Sequence, residues 1–152
     1  MPSQQLPATR FNIRVYGLWI HQNCILVSDE RLGEFCFTKF PGGGLEYGEG
    51  LIDGLIREWQ EELNTKIEIL EHFYTTDFFQ ESAFHPNTQI ISIYYKVRPL
   101  YEPKIPIHIH PQKYLFLGHE ECYFRWIPLA QLSSSHMTLP IDKIVVDKLV
   151  NH

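Results

Sequence analysis

The sequence predicts an α/β domain in which helices pack on a mixed β-sheet. Two observations lead to this fold class. Short segments rich in β-branched and aromatic residues lie on both sides of one amphipathic segment, and a second amphipathic segment closes the chain. The resulting order of strands, helix, strands and helix is typical of layered α/β or α+β domains. With 152 residues, the chain is long enough for one such domain with a sizeable core.

Three strands are predicted before the first helix. Residues 11–28 contain two of them, joined by a turn near residues 21–23, because β-branched and aromatic residues dominate there with partial alternation. Residues 28–33 (SDERLG) are interpreted as the next turn, and residues 34–40 as a short alternating strand. Three consecutive glycines at residues 42–44 then interrupt any regular element.

The first helix is predicted to run from Leu51 to a left-handed stop at Asn64. The apolar residues that recur at helical spacing, and that we expect to be buried, are Ile52, Leu55, Ile56, Trp59 and Leu63. Glu58, Glu61 and Glu62 lie together about 100° around the helix from these residues. Because three carboxylates on one strip repel each other, the pattern indicates a site for a divalent cation that prefers oxygen ligands.

Two further strands, an irregular segment, a last strand and a short helix are predicted in the second half. The strands are expected over residues 66–79 and 89–100, with a polar turn between them. Residues 99–114 contain four prolines and are interpreted as irregular. A strand over residues 122–129 precedes an amphipathic helix over residues 140–150, which has a proline near its start.

Composition and charge argue against several classes of function. The formal net charge of −5 disfavours nonspecific binding to nucleic acid or to anionic membranes, and no apolar run approaches a membrane span. The three cysteines are an odd number without a CxxC pair, which favours a reduced, cytoplasmic setting. We therefore expect a flexible lead-in at residues 1–10 and a single domain over residues 11–152, with a homodimer left open.

The charged residues around the first helix closely resemble the signature of the Nudix hydrolase family, Gx5Ex7REUxEExGU, where U is a bulky aliphatic residue. Gly43, Glu49 and residues 57–62 match its glycine and all of its charged positions at the right distances. The positions that depart from it are uncharged: Trp59, Asn64 and Thr65. The resemblance implies the family's α/β/α sandwich with a mixed central sheet.

The resemblance also implies a function and a set of site residues. The activity would be hydrolysis of a nucleoside diphosphate linked to another group, such as a nucleoside triphosphate or a nucleotide sugar, with Mg²⁺ or Mn²⁺. The implied metal ligands are Glu58, Glu61, Glu62 and the backbone carbonyl of Gly42 or Gly43. Glu61 or Glu62 could instead act as the general base. Arg57 would orient a carboxylate through a bidentate ion pair, and Glu49 is the expected partner.

Further candidate residues lie around this motif. The family often uses one more acid on a loop before a late strand, and Glu121 is preferred to Glu120 for this role, against the alternative of a solvated loop pair. Lys39 could contact a phosphate as a point charge or be only solvated. Gly43 and Gly44 would let the backbone approach the substrate phosphates.

Two rival functions share the fold. One is a nucleotide-binding or sensing module without turnover, which the complete set of charged residues disfavours. The other is an isomerase acting on an isoprenoid diphosphate, which would require a different metal site and usually a catalytic cysteine. Both cysteines nearest the motif, Cys24 and Cys36, lie outside it.

Overall fold

Nine strands and two α-helices follow each other along the described chain. The computed structural model describes residues 6–110 and 122–151, so residues 1–5 of the expected lead-in lie outside it. The strands are β1 (Arg10–Leu18), β2 (Ile20–His21), β3 (Cys24–Leu32), β4 (Phe35–Lys39), β5 (Gly42–Gly44), β6 (Ile67–Thr75), β7 (Thr88–Pro99), β8 (Ile107–His108) and β9 (Cys122–Pro128). The helices are α1 (Leu51–Leu63) and α2 (Pro140–Val150). Within these residues, neither helix is long and apolar enough to cross a bilayer.

The strands form two mixed sheets. The first has the order β5-β1-β7-β6, in which β1 and β7 are parallel and the other pairs antiparallel. The second has the order β2-β3-β9-β8, with β4 paired to β3 and with β8 and β9 parallel. The expected mixed strand pairing is present in both sheets, and the chain passes from the first sheet to the second between Leu18 and Ile20.

Alternate residues of the same strands face two separate cores. One core contains the buried α1 residues together with Val15, Leu26 and Ile93. The other contains the buried α2 residues together with Tyr16, Val27 and Tyr94. Because neighbouring strand residues point to opposite faces, one helix lies on each side of the strands. The observed fold is the expected α/β/α sandwich.

The predicted boundaries of α1 are confirmed, whereas its predicted buried face is wrong at one position. Asn64 ends the helix with φ 52° and ψ 42°, the left-handed conformation expected of it. Ile52, however, is 44% exposed. Gly54 is buried in the same part of the helix, because the side chains of Leu45 and Glu49 pack where its Cβ would lie. The glycine loop, residues 42–50, therefore covers the first turns of α1. The apolar periodicity of the helix does not indicate this contact.

The turn predicted at residues 28–33 is also wrong. β3 continues to Leu32, and the chain reverses only at Gly33, which has φ 63°. The polar residues that suggested a turn have partners inside the protein. Arg125 Nε donates to Asp29 Oδ2 at 2.6 Å, and Glu30 pairs with a lysine of β4. Their burial is possible because each charge is compensated.

Asp142, in the first turn of α2, is a buried carboxylic acid. It accepts a hydrogen bond from Tyr94 Oη at 2.6 Å. Burial is the main cause that raises the pKa of Asp142 from 3.8 to about 6. Since the folded protein then holds this proton more tightly than the unfolded chain, the group stabilises the fold fully below pH 3.8, and that stabilisation is lost as the pH rises through about 6.

Replacing Asp142 by Asn should therefore change the pH dependence of stability. Relative to wild type, the unfolding free energy of the variant should rise by on the order of 2 kcal/mol between pH 4 and pH 7, because asparagine carries no buried charge. Urea unfolding at both pH values measures this difference. Asp147→Asn, on the exposed side of the same helix, controls for the loss of one charge. A difference for Asp142→Asn that does not vary with pH contradicts the prediction.

Candidate active site

Arg57 connects the acidic residues of α1 to the glycine loop. Its Nε and Nη2 donate to the two carboxylate oxygens of Glu49 at 3.0 and 2.6 Å, which is a bidentate ion pair. Nη1 contacts Glu58 Oε1 at 3.1 Å and Glu61 Oε2 at 3.3 Å. Nη2 also donates to the carbonyl of Gly44 at 3.0 Å. Nη1 also lies 3.6 Å from Glu46 Oε1. A single guanidinium is thus shared by four carboxylates and the backbone of β5.

Glu49 holds the loop before α1 in place. Besides the Arg57 pair, its Oε1 accepts a hydrogen bond from the backbone N–H of Glu46 at 2.8 Å. The hydrogen bonds from Arg57, and then the one from Glu46, lower the pKa of Glu49 to about 2. Glu49 is therefore ionised at neutral pH and contributes a fixed negative charge against Arg57.

The carboxylate of Glu58 packs directly on β5. A Cβ added to Gly43 would stand between 2.5 and 2.6 Å from the Glu58 carboxylate atoms, which is too close for any side chain. The Glu58 side chain is only 13% exposed. A side chain at position 43 would therefore push the Glu58 carboxylate away from the strand.

Among the three glutamates of the α1 strip, Glu62 has the carboxylate with the fewest hydrogen bonds to compensate its charge. Its Oε2 is buried and has no hydrogen-bond partner among the described residues. Burial raises the pKa of Glu62 to about 7; Lys39 acts in the opposite direction, and Glu30 and Glu58 add to the increase. Glu61, in contrast, is 58% exposed. The three glutamates of the predicted strip thus differ sharply in their environments.

Lys39 is buried instead of solvated. Its Nζ lies 3.0 Å from Glu30 Oε2 and donates to the carbonyl oxygens of Phe40 and Gly42 at 3.2 and 3.1 Å. Burial favours the neutral amine, but Glu30 and Glu62 outweigh it, so the pKa of Lys39 is raised. Phosphate binding by Lys39 stays a prediction, because its ammonium is occupied by protein oxygens in this structure. The Gly42 carbonyl, a predicted metal ligand, faces this ammonium.

A cavity of 490 Å³ lies between the two sheets, next to Lys39 and Glu30. Its wall combines aromatic, cationic and polar side chains. Phe37 and Phe84 lie at 5.0 Å between ring centroids. Its wall also includes Asn12, Arg14, Tyr16, Ser92, Tyr94 and Asp142. The sequence did not identify Asn12, Arg14, Tyr16, Ser92 or Asp142 as candidates, since they come from β1, β7 and α2 and carry no common motif.

The carboxylates of Glu58 and Glu62 offer oxygen atoms of the kind that a hard divalent cation binds. Glu58 and Glu62 are both partly buried, and the unpartnered Glu62 Oε2 is an acceptor without a donor. Within the described residues 6–110 and 122–151, no three His, Cys, Asp or Glu side chains lie close enough together to hold a metal. Glu58 and Glu61 both contact Arg57 instead. The predicted acid Glu121, and Glu120 beside it, lie outside the described residues.

Replacing Gly43 by Ala should destabilise the protein, because the new methyl group displaces the Glu58 carboxylate. We expect a loss of about 1 kcal/mol in the unfolding free energy, because the end of a flexible side chain moves and its hydrogen bond from Arg57 is weakened. Gly44→Ala is the matched control on the same strand, since the nearest atom to its Cβ would be 3.6 Å away. Urea unfolding of both variants gives the comparison, and equal stability would contradict the assigned contact.

Several solved structures share this fold at low sequence identity. The solution structure of the Escherichia coli ORF135 protein has a TM-score of 0.71 and 16% identity, covering 97% of this chain and 94% of that one. The MutT protein from Methanosarcina mazei Go1 has a TM-score of 0.70 and 17% identity, covering 97% of each chain. A MutT NUDIX hydrolase from Burkholderia pseudomallei has a TM-score of 0.67 and 17% identity, covering 93% and 99%. No curated protein matches the sequence.

The family model described as the NUDIX domain matches residues 12–149. The match begins in β1, ends in α2 and includes the glycine loop and α1, so it spans almost the entire chain. The glycine and charged positions predicted from the sequence therefore stand within a domain of the expected architecture. This chain belongs to the NUDIX domain family.

Proposed function

We propose that the chain is a metal-dependent pyrophosphohydrolase that cleaves a nucleoside diphosphate linked to another group. The observation that supports this most directly is the buried, unpartnered carboxylate of Glu62. It lies in the electrostatic range of Lys39 and Glu30, which line the 490 Å³ cavity. An uncompensated acid beside a cavity of this size is typical of functional sites.

Glu58, Glu61 and Glu62 are the side chains that would hold Mg²⁺ or Mn²⁺, together with the carbonyl of Gly42 or Gly43. When bound, the cation neutralises charge on the phosphate oxygens and lowers the pKa of a bound water. Either Glu61 or Glu62 would accept the proton of the attacking water. The donor set consists of oxygen atoms only, which suits these two metals.

Arg57 and Glu49 have a positioning role in this proposal. Their bidentate pair fixes the loop that precedes α1 relative to the helix, and the Arg57 contact with the Gly44 carbonyl fixes β5. Glu58 then lies against Gly43 in one defined place. Such preorganisation lowers the activation barrier of the hydrolysis, because the site residues need not rearrange when the substrate binds.

The cavity would bind the nucleoside part of the substrate. Phe37 and Phe84 offer aromatic faces for stacking of a base. Asn12, Ser92 and Asp142 provide hydrogen-bonding groups in the wall. The backbone of Gly43 and Gly44 would run beside the phosphates. These features support a small-molecule nucleotide as the substrate and do not select one base.

The proposal is tested by incubating the protein with a panel of nucleoside triphosphates and nucleotide sugars. With Mg²⁺ or Mn²⁺, we expect a nucleoside monophosphate as one product, identified by mass spectrometry. Excess EDTA should abolish the reaction, and added metal should restore it. Binding of a panel member without turnover would support the alternative of a sensing module. The absence of both binding and turnover contradicts the proposal.

Glu62→Gln should separate the catalytic role from a structural one. We expect kcat to fall at least about 100-fold, while the thermal unfolding midpoint stays equal to or above that of wild type, because a buried uncompensated charge is removed. The exposed Glu68 of β6 supplies the control Glu68→Gln, which should leave both quantities unchanged. A Glu62→Gln variant with wild-type kcat would remove this residue from the proposed site.

A further inference from the structure

Arg14 places a cation in the wall of the cavity with donors that no described residue uses. Its Nε donates to Tyr16 Oη at 2.6 Å. Within residues 6–110 and 122–151, neither terminal nitrogen donates a hydrogen bond and no carboxylate forms an ion pair with it. Arg57 and Arg125, in comparison, direct their guanidinium groups at Glu49 and Asp29. Arg14 thus keeps a planar pair of N–H groups available to a ligand.

The position of Arg14 connects the cavity with the acidic residues of α1. Arg14 is paired with Gly44 across β1 and β5, and its Nη1 lies 3.6 Å from where a Cβ on Gly44 would be. The next residue of β5, Gly43, is in contact with Glu58. Arg57 holds the carbonyl of Gly44. A substrate that extends from the cavity toward Glu58 would therefore pass Arg14 beside Gly44.

The surroundings of Arg14 keep it charged and oriented. Burial alone would lower its pKa, but Tyr16, Glu58 and Glu30 together raise it. Tyr16 is only 4% exposed, and its ring stacks on Tyr94 at 5.1 Å between centroids. The hydroxyl that binds Nε is consequently held in place, and the guanidinium with it.

We propose that Arg14 binds a phosphate group of the substrate through its two terminal nitrogens, with Tyr16 as its positioning residue. Two parallel N–H donors match the spacing of phosphate oxygens, as in bidentate arginine–phosphate pairs. The proposal rests on the proposed function, because it assumes a phosphorylated ligand. Because Arg14 lines the cavity that is proposed to bind the nucleoside, the phosphate concerned is the one on the nucleoside side of the bond that is cleaved.

The test is calorimetric titration of the protein with inorganic pyrophosphate in excess Mg²⁺. Relative to wild type, Arg14→Gln should raise the Kd roughly tenfold to a hundredfold, the usual effect of losing hydrogen bonds to a charged group. Arg14→Lys should recover part of the affinity, because it restores the charge without the fork. Arg98→Gln removes the same charge from the exposed pair with Glu68 and should bind as wild type does.

Tyr16→Phe keeps the charge of Arg14 and removes only the hydroxyl that orients it. We expect a severalfold weaker affinity for pyrophosphate. The thermal unfolding midpoint is measured in parallel, so that a loss of the fold is recognised. Equal affinities of Arg14→Gln and Arg98→Gln, or no binding by wild type, would overturn the phosphate site. If the wild-type protein hydrolyses no nucleotide but Arg14→Gln still binds pyrophosphate more weakly than wild type, the phosphate site is upheld and the hydrolase proposal is contradicted.

Discussion

The ion pair between Arg57 and Glu49 is the interaction on which the geometry of the site depends. It joins the loop before α1 to the second turn of that helix, and the same guanidinium contacts Glu58, Glu61 and the Gly44 carbonyl. Without it, two carboxylates of α1 would lose their nearest cation. The glycine loop would also lose its fixed distance from the helix, because its residues have few side chains of their own to anchor it.

A second compensated pair, Glu30 with Lys39, determines the electrostatics on the cavity side. Glu30 accepts hydrogen bonds from Ser28 Oγ at 2.7 Å and from Lys39, so its charge is balanced in place. Glu62 lies near both partners but has no such partner on Oε2. The uneven distribution of cations, rather than the number of acids, is therefore what makes Glu62 distinct from Glu58 and Glu61.

Local features of the fold could be predicted from the sequence, whereas features that depend on distant residues could not. The ends of α1 follow from its apolar spacing and from the left-handed stop at Asn64. The Arg57 pair with Glu49 was implied by the family resemblance, since Glu49 precedes the helix. Glu30 was missed because its polar neighbours looked like a turn, and their partners are on β4 and β9. The position of Arg14 depends on the pairing of β1 with β5, and the burial of Gly54 depends on a loop contact. Neither leaves a periodic signal.

The three glycines of β5 also affect how the molecule behaves toward its own copies. β5 is the edge of the first sheet, and an edge without side chains is a template on which another strand can pair. Its short length and the Arg57 hydrogen bond to the Gly44 carbonyl limit that pairing, since one edge acceptor is already occupied. Arg57, which contacts the acidic residues of α1, thus also occupies an acceptor on an open sheet edge. Its loss would promote aggregation as well as disorder in the site.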